Sequence, residues 1–151
     1  MKLAEALLLR SEYQKKIENL QIRILANVKV QDNDKPLENP KQLIKEVFEL
    51  SDRLCELIKK INRRNNTVVL PNGQTLSDAI VERAMLLKKH NILTAAAAKI
   101  IEKDYRLTHT EVKMNAVLSA SELQKEIDAF SKAFRETDTL IQGANWTRDL
   151  E

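Results

Sequence analysis

Four stretches of this chain carry apolar side chains at alternating steps of three and four, the spacing that gives an α-helix one continuous buried face. The first, about residues 2–28, has Leu3, Ala6, Tyr13, Ile17, Leu20 and Ile24 on its seam. The second, about 40–65, opens at Pro40, where a missing amide costs little, and continues through Leu43, Val47, Leu50, Leu54, Leu57 and Ile61. A flanking stripe of Ile44, Phe48, Cys55 and Ile58 widens that face and predicts a central helix buried on two sides. The third, about 76–103, uses Leu76, Ala79 or Ile80, Leu86 or Leu87, Leu93, Ala97 and Ile100, and its alanines 95 to 98 let another backbone approach closely. The fourth, about 119–143, opens on a capping box of Ser119 and Glu122, carries Leu123, Ile127, Phe130, Phe134 and Ile141, and meets a stop signal at Gly143.

The segments between these stretches read differently. NVKVQDNDKPLENP holds two of the three prolines among Asp and Asn, which denies it helical geometry and makes it a loop. In INRRNNTVVLPNGQTLSDA, Lys59, Lys60, Arg63 and Arg64 complement the dipole at the end of the second helix, and Asn62, Asn65 and Asn66 offer side-chain hydrogen bonds where helical ones run out. Strand formers follow over about 67–70, then a Pro-Asn-Gly turn, then Thr75 and Asp78 as a helix start. Residues of about 111–117 alternate as a half-buried strand and supply its natural partner. The expected fold is mainly all-α, a single domain over residues 1–151 forming an elongated antiparallel four-helix bundle with a small two-stranded β-ribbon. Hydrophobic content of 43%, aromatic content of 4% and only two glycines agree with that class. A lone ribbon is marginal in water, so it should pack on the bundle or pair with another copy, and a homo-oligomer is expected.

Several function classes are disfavoured. The net charge of +3 is interspersed along the chain, so it argues for solubility and gives no strong nucleic-acid signal. Cys55 is the sole cysteine, which excludes an intrachain disulfide, and it reads as a small hydrophobe on a helix flank. MKLAEALLLRSEYQKK is interrupted by Glu5 and lacks a cleavage site, so it reads as helix and not as an export signal; a cytoplasmic location is expected. NILTAAAAKII, the most apolar later segment, is far short of the roughly 20 residues a membrane span requires.

Chemistry must be sought where polar residues break the seams. Arg10 and Asn27 do so in the first helix, Arg83 and His90 in the third. Such groups need partners or water. An anion or substrate pocket of Arg10, Arg83 and His90, near Arg63 and Arg64, is the functional reading; ordinary pairing with Glu5, Glu12 or Glu82, or a register device in an oligomer, is the structural one. Neither His90 nor His109 has a glutamate three residues before it, so no di-metal bundle site is expected, and no cofactor is implied. Glu46, Glu49 and Asp52 in EVFELSD resemble one half of the acidic motif of all-α nucleotide pyrophosphohydrolases, but the second acidic helix is absent. Nucleophilic triads and glycine-rich phosphate loops have no candidates, and no catalytic residue is assigned.

Taken together, MKLAEALLLR, the NVKVQDNDKP loop, INRRN, TEVK and IQGANWT resemble a family of uncharacterised bacterial proteins, some of whose members are named septicolysin. The resemblance spans nearly the whole chain and marks Asn62, Arg63, Asn65, Arg83, Arg106, Glu111, Lys113, Asn145 and Trp146 as positions to test. It implies an acid after the arginine of the third helix, where this chain has Ala84. The favoured function is a self-associating helical module for binding or scaffolding. The second is a ligand-binding protein or enzyme for a phosphorylated or nucleotide substrate, an anionic small molecule held by Arg10, Arg63, Arg83 and Arg106. The third, implied by the name, is a cytolysin whose membrane segment would have to be NILTAAAAKII.

Overall fold

The structure is a computed structural model that describes residues 1–102 and 114–151. It contains α1 (Leu3–Asn27), α2 (Pro40–Thr67), α3 (Leu76–Ile101) and α4 (Ala120–Thr147), and the described residues include no strand or sheet. The fold is all-α. It divides into two compact units, Met1–Leu76 with Gln142–Glu151, and Ser77–Ile141.

In the first unit α1 packs against α2. The Glu5 carboxylate accepts the Lys2 amide at 2.7 Å, which satisfies a donor at the start of α1. At the start of α2, Asn39 Oδ1 accepts from the amides of Lys41 and Gln42 at 3.0 and 3.5 Å, and Pro40 takes the first helical position. The connecting loop is latched from within. Buried Asn27 donates to the Arg23 carbonyl at 2.8 Å and accepts from the Glu38 amide at 2.9 Å, while Arg23 Nε donates to both Glu38 carboxylate oxygens at 3.0 and 3.2 Å. Asn33 supplies the left-handed residue of this loop at φ 66°.

The expected ribbon is not seen among the described residues. Thr67 belongs to α2, and the end of that helix is capped by the Val68 amide and the Thr67 hydroxyl, both donating to the Arg64 carbonyl at 3.0 Å, and not by Asn62, Asn65 or Asn66. The chain then reverses on itself. Gly73, at φ 86°, donates to the Leu70 carbonyl at 2.9 Å, Leu70 donates to the Gln74 carbonyl at 2.8 Å, and Val69 meets Thr75 in an isolated antiparallel bridge. Val68 and Leu70 are buried and Val69 is exposed, so the strand formers of 67–70 are accommodated by a turn of a few residues. Residues 114–117 of the proposed partner strand are irregular and exposed; 111–113 lie outside the described residues. Backbone pairing instead joins the start of the chain to its last turn: Leu3 donates to the Arg148 carbonyl at 3.0 Å, Leu150 donates to the Met1 carbonyl at 2.9 Å, and Lys2 bridges Asp149.

Two further expectations are corrected. The flanking stripe of α2 is not a second buried side, because Phe48 is 65% exposed and Ile44 and Cys55 are exposed as well. Gly143 does not stop α4, which continues to Thr147. A mid-helix glycine costs about 1 kcal/mol, but Ile141, Ala144 and Asn145 around it are all buried and hold the helix in place.

In the second unit α3 and α4 run antiparallel: Arg83 pairs with Asp138, Lys89 lies over the Phe130 ring at 5.8 Å, and Ala97 packs with Leu123 and Ile127. Leu93, Ala96 and Ile100 complete that cluster. Of the four alanines, Ala97 is buried and Ala96 half-buried, whereas Ala95 and Ala98 face outward.

Candidate functional site

The structure distributes the expected site residues over both units. Arg10 lies on α1 with its Nε buried and without a hydrogen-bond partner among the described residues. Asn62, Arg63 and Asn65 lie in the last turns of α2; Asn62 and Arg63 are exposed, and Arg63 Nε donates to the Lys59 carbonyl at 3.3 Å. Asn145 is buried near the end of α4 and Trp146 beside it is 61% exposed. In the second unit, Arg83 is half-buried and paired with Asp138, and half-buried His90 has Nδ1 3.2 Å from Asn91 Oδ1. Arg106, Glu111 and Lys113 lie outside the described residues.

Three of the sequence segments singled out above meet at one end of the first unit. Arg64 Nε donates to the Asp149 carbonyl at 2.7 Å, Lys60 pairs with Glu151, and Lys2 Nζ contacts Asp149 Oδ1 at 2.9 Å and the Thr147 carbonyl at 3.1 Å. The end of α2, the start of α1 and the last turn of α4 are thereby tied together by charged groups. Hydrogen bonding from Lys2 holds the Asp149 carboxyl below the usual range, and Lys60 does the same for Glu151. The basic residues expected to attract an anion here are engaged with the chain's own carboxylates and carbonyls.

A second feature lies between α1 and α2. Glu12, Lys15, Lys16, Asn19 and Arg23 of α1 face Glu46 of α2 across a cleft of about 390 Å³, with Leu20 and Leu50 beneath. Glu46, one of the three acids of EVFELSD, is on its wall. The Glu38 carboxyl, which latches Arg23, is held below the usual range by that guanidinium.

A third feature is the outer face of α3. A shallow groove of about 450 Å³ is lined by Ala84, Leu87, Lys88, Asn91, Ile92 and Ala95. Val81, Met85, Leu87 and Ile92 are exposed by 60, 47, 44 and 59%. One helix thus buries one apolar stripe and presents another.

Among the described residues no group of three or more His, Cys, Asp or Glu side chains is placed to hold a metal ion, and no helix is long and apolar enough to cross a membrane.

Comparison with known proteins agrees with this picture at the level of fold and family. The pattern of a family of unknown function, DUF6847, matches residues 10–150. A crystal structure of a functionally unknown conserved protein from Corynebacterium diphtheriae is similar over 100% of this chain and 99% of that one, with 36% identity and a TM-score of 0.93. No curated protein matches the chain.

Proposed function

Since the chain belongs to DUF6847, a family of unknown function, we propose that it acts as a self-associating helical module in which the outer face of α3 pairs with the same face of a second copy. The observation that carries this reading is the exposed stripe of Val81, Met85 and Ile92 beside a shallow groove in which Ala84, Leu87 and Ala95 lie with Lys88 and Asn91, a low-relief surface of the kind helices use to pack. Helix dipoles favour a second copy set antiparallel, because that apposition opposes the two dipoles and parallel apposition aligns them.

The size of the face also bounds the strength. A helix of 26 residues is about 39 Å long, and at about 10 Å width it offers about 400 Å² per copy, at the weak end of specific interfaces. The reading therefore implies a concentration-dependent dimer. The test is sedimentation equilibrium from about 1 to 300 μM, a span that brackets micromolar dissociation constants. The average mass should rise toward two chains, and Ile92→Glu should stay a monomer with unchanged helicity. A single chain at every concentration would refute self-association, and loss of the dimer in Phe48→Glu but not in Ile92→Glu would move the contact to α2. The name septicolysin, which the resemblance attaches to some members, stays outside this proposal.

A further inference from the structure

We propose that the cleft between α1 and α2 binds a small zwitterion of the α-amino-acid class that carries an apolar side chain. Several charges in the cleft are already committed. Lys16 holds Glu12 at 2.6 Å, and Arg23 is fixed by Glu38. Lys15 on α1 and Glu46 on α2 line opposite walls and make no ion pair with a described residue, although Glu46 acts on Arg23 through space. The cleft therefore offers one uncommitted cation and one uncommitted carboxylate, facing each other over an apolar floor of buried Leu20 and half-buried Leu50.

Net charge then selects the ligand. Lys15, Lys16 and Arg23 are matched by Glu12, Glu46 and, through its pair with Arg23, Glu38. A phosphate or other multiply charged anion would meet Glu12 and Glu46, and a divalent cation would meet Lys15, Lys16 and Arg23. A ligand that is neutral overall but carries both signs avoids both penalties. Its carboxylate pairs with Lys15, its ammonium with Glu46, and its side chain covers Leu20 and Leu50, with the Asn19 amide able to donate or accept beside them. The volume of about 390 Å³ falls within the range of small-molecule sites.

The experiment is a chemical-shift titration of the full chain with L-leucine, followed by the same titration with 4-methylpentanoate and with isoamylamine, which each keep one charge. L-leucine should bind with a Kd of about 1 mM or tighter, given its size, and shift amides of residues 12–23 and 46–50. Each single-charge analogue should bind about tenfold or more weakly, as should L-leucine to Lys15→Met and to Glu46→Gln. Both substitutions lie at exposed positions, and the unperturbed spectrum elsewhere checks their folding. The proposal is overturned if L-leucine causes no shifts at about ten times that concentration. It is equally overturned if 4-methylpentanoate or inorganic phosphate binds as well as L-leucine, or if neither substitution weakens binding.

Discussion

Asn27 and Asn145 are the buried polar side chains among the described residues, and Asn27 shows how one residue can fix a loop. Its side-chain amide serves the Arg23 carbonyl and the Glu38 amide at once, so Asn27→Ala removes both bonds and leaves the part-buried Glu38 amide without that acceptor. A loss of about 1–3 kcal/mol in urea unfolding is expected, and Asn27→Asp should lose stability as well, because it keeps the acceptor for the Glu38 amide but sets a second oxygen against the Arg23 carbonyl. The sequence displayed Asn27 as a polar break in a seam, but its partner Glu38 lies 11 residues on, and nothing local reveals that pairing. Arg83 is the same case across 55 residues: a pairing partner was expected among nearby glutamates, and Asp138 fills that place. The ion pairs also set a pH dependence. Lys2, Lys60 and Arg23 depress the folded values of Asp149, Glu151 and Glu38, so the stabilisation is present above the unfolded carboxylate range, about 3.9–4.3, and is lost as pH falls through the folded values. The melting temperature should be level from about pH 5 to 7 and fall below about pH 4.5. The double variant Asp149→Asn, Glu151→Gln should show a shallower fall in the same circular-dichroism series; an identical slope would assign the acid sensitivity elsewhere.

At the scale of elements, the two glycines make opposite predictions. Gly143 is helical with nothing within 4 Å of an added Cβ, so Gly143→Ala should stabilise α4 by up to about 1 kcal/mol. Gly73 has the same free space but a φ of 86°, so Gly73→Ala should destabilise by about 1 kcal/mol or more, read in the same denaturation series. The helices were legible because their periodic seams run for many turns and each repeats the same signal. The ribbon misled because Thr67 to Leu70 is too short to carry a period of its own: alternate burial of Val68 and Leu70 is equally the product of a strand and of a hairpin with one bridge. Likewise the stripe of Ile44, Phe48 and Cys55 records apolar character, and apolar character does not say whether a neighbouring element arrives to cover it. The cleft between α1 and α2 was not legible for a related reason: Glu46 stood out only as one acid of EVFELSD, and nothing local to either helix shows that it faces Lys15.

For the molecule as a whole, the proposed assembly pairs α3 with its counterpart in a second copy, head to tail. Cross-linking in a Cys55→Ala background separates register from mere proximity, because the native cysteine is exposed and would otherwise react. Ala84 and Ala95 both line the groove of α3, about three helical turns apart on either side of its middle. The measurement is oxidation of Ala84→Cys and Ala95→Cys chains, each alone and as an equimolar mixture, at the concentration where sedimentation shows the dimer. A cross-linked species is expected in the mixture and little in either chain alone. Self-linking of Ala84→Cys would contradict the antiparallel register, and no cross-link in any sample would contradict pairing through α3.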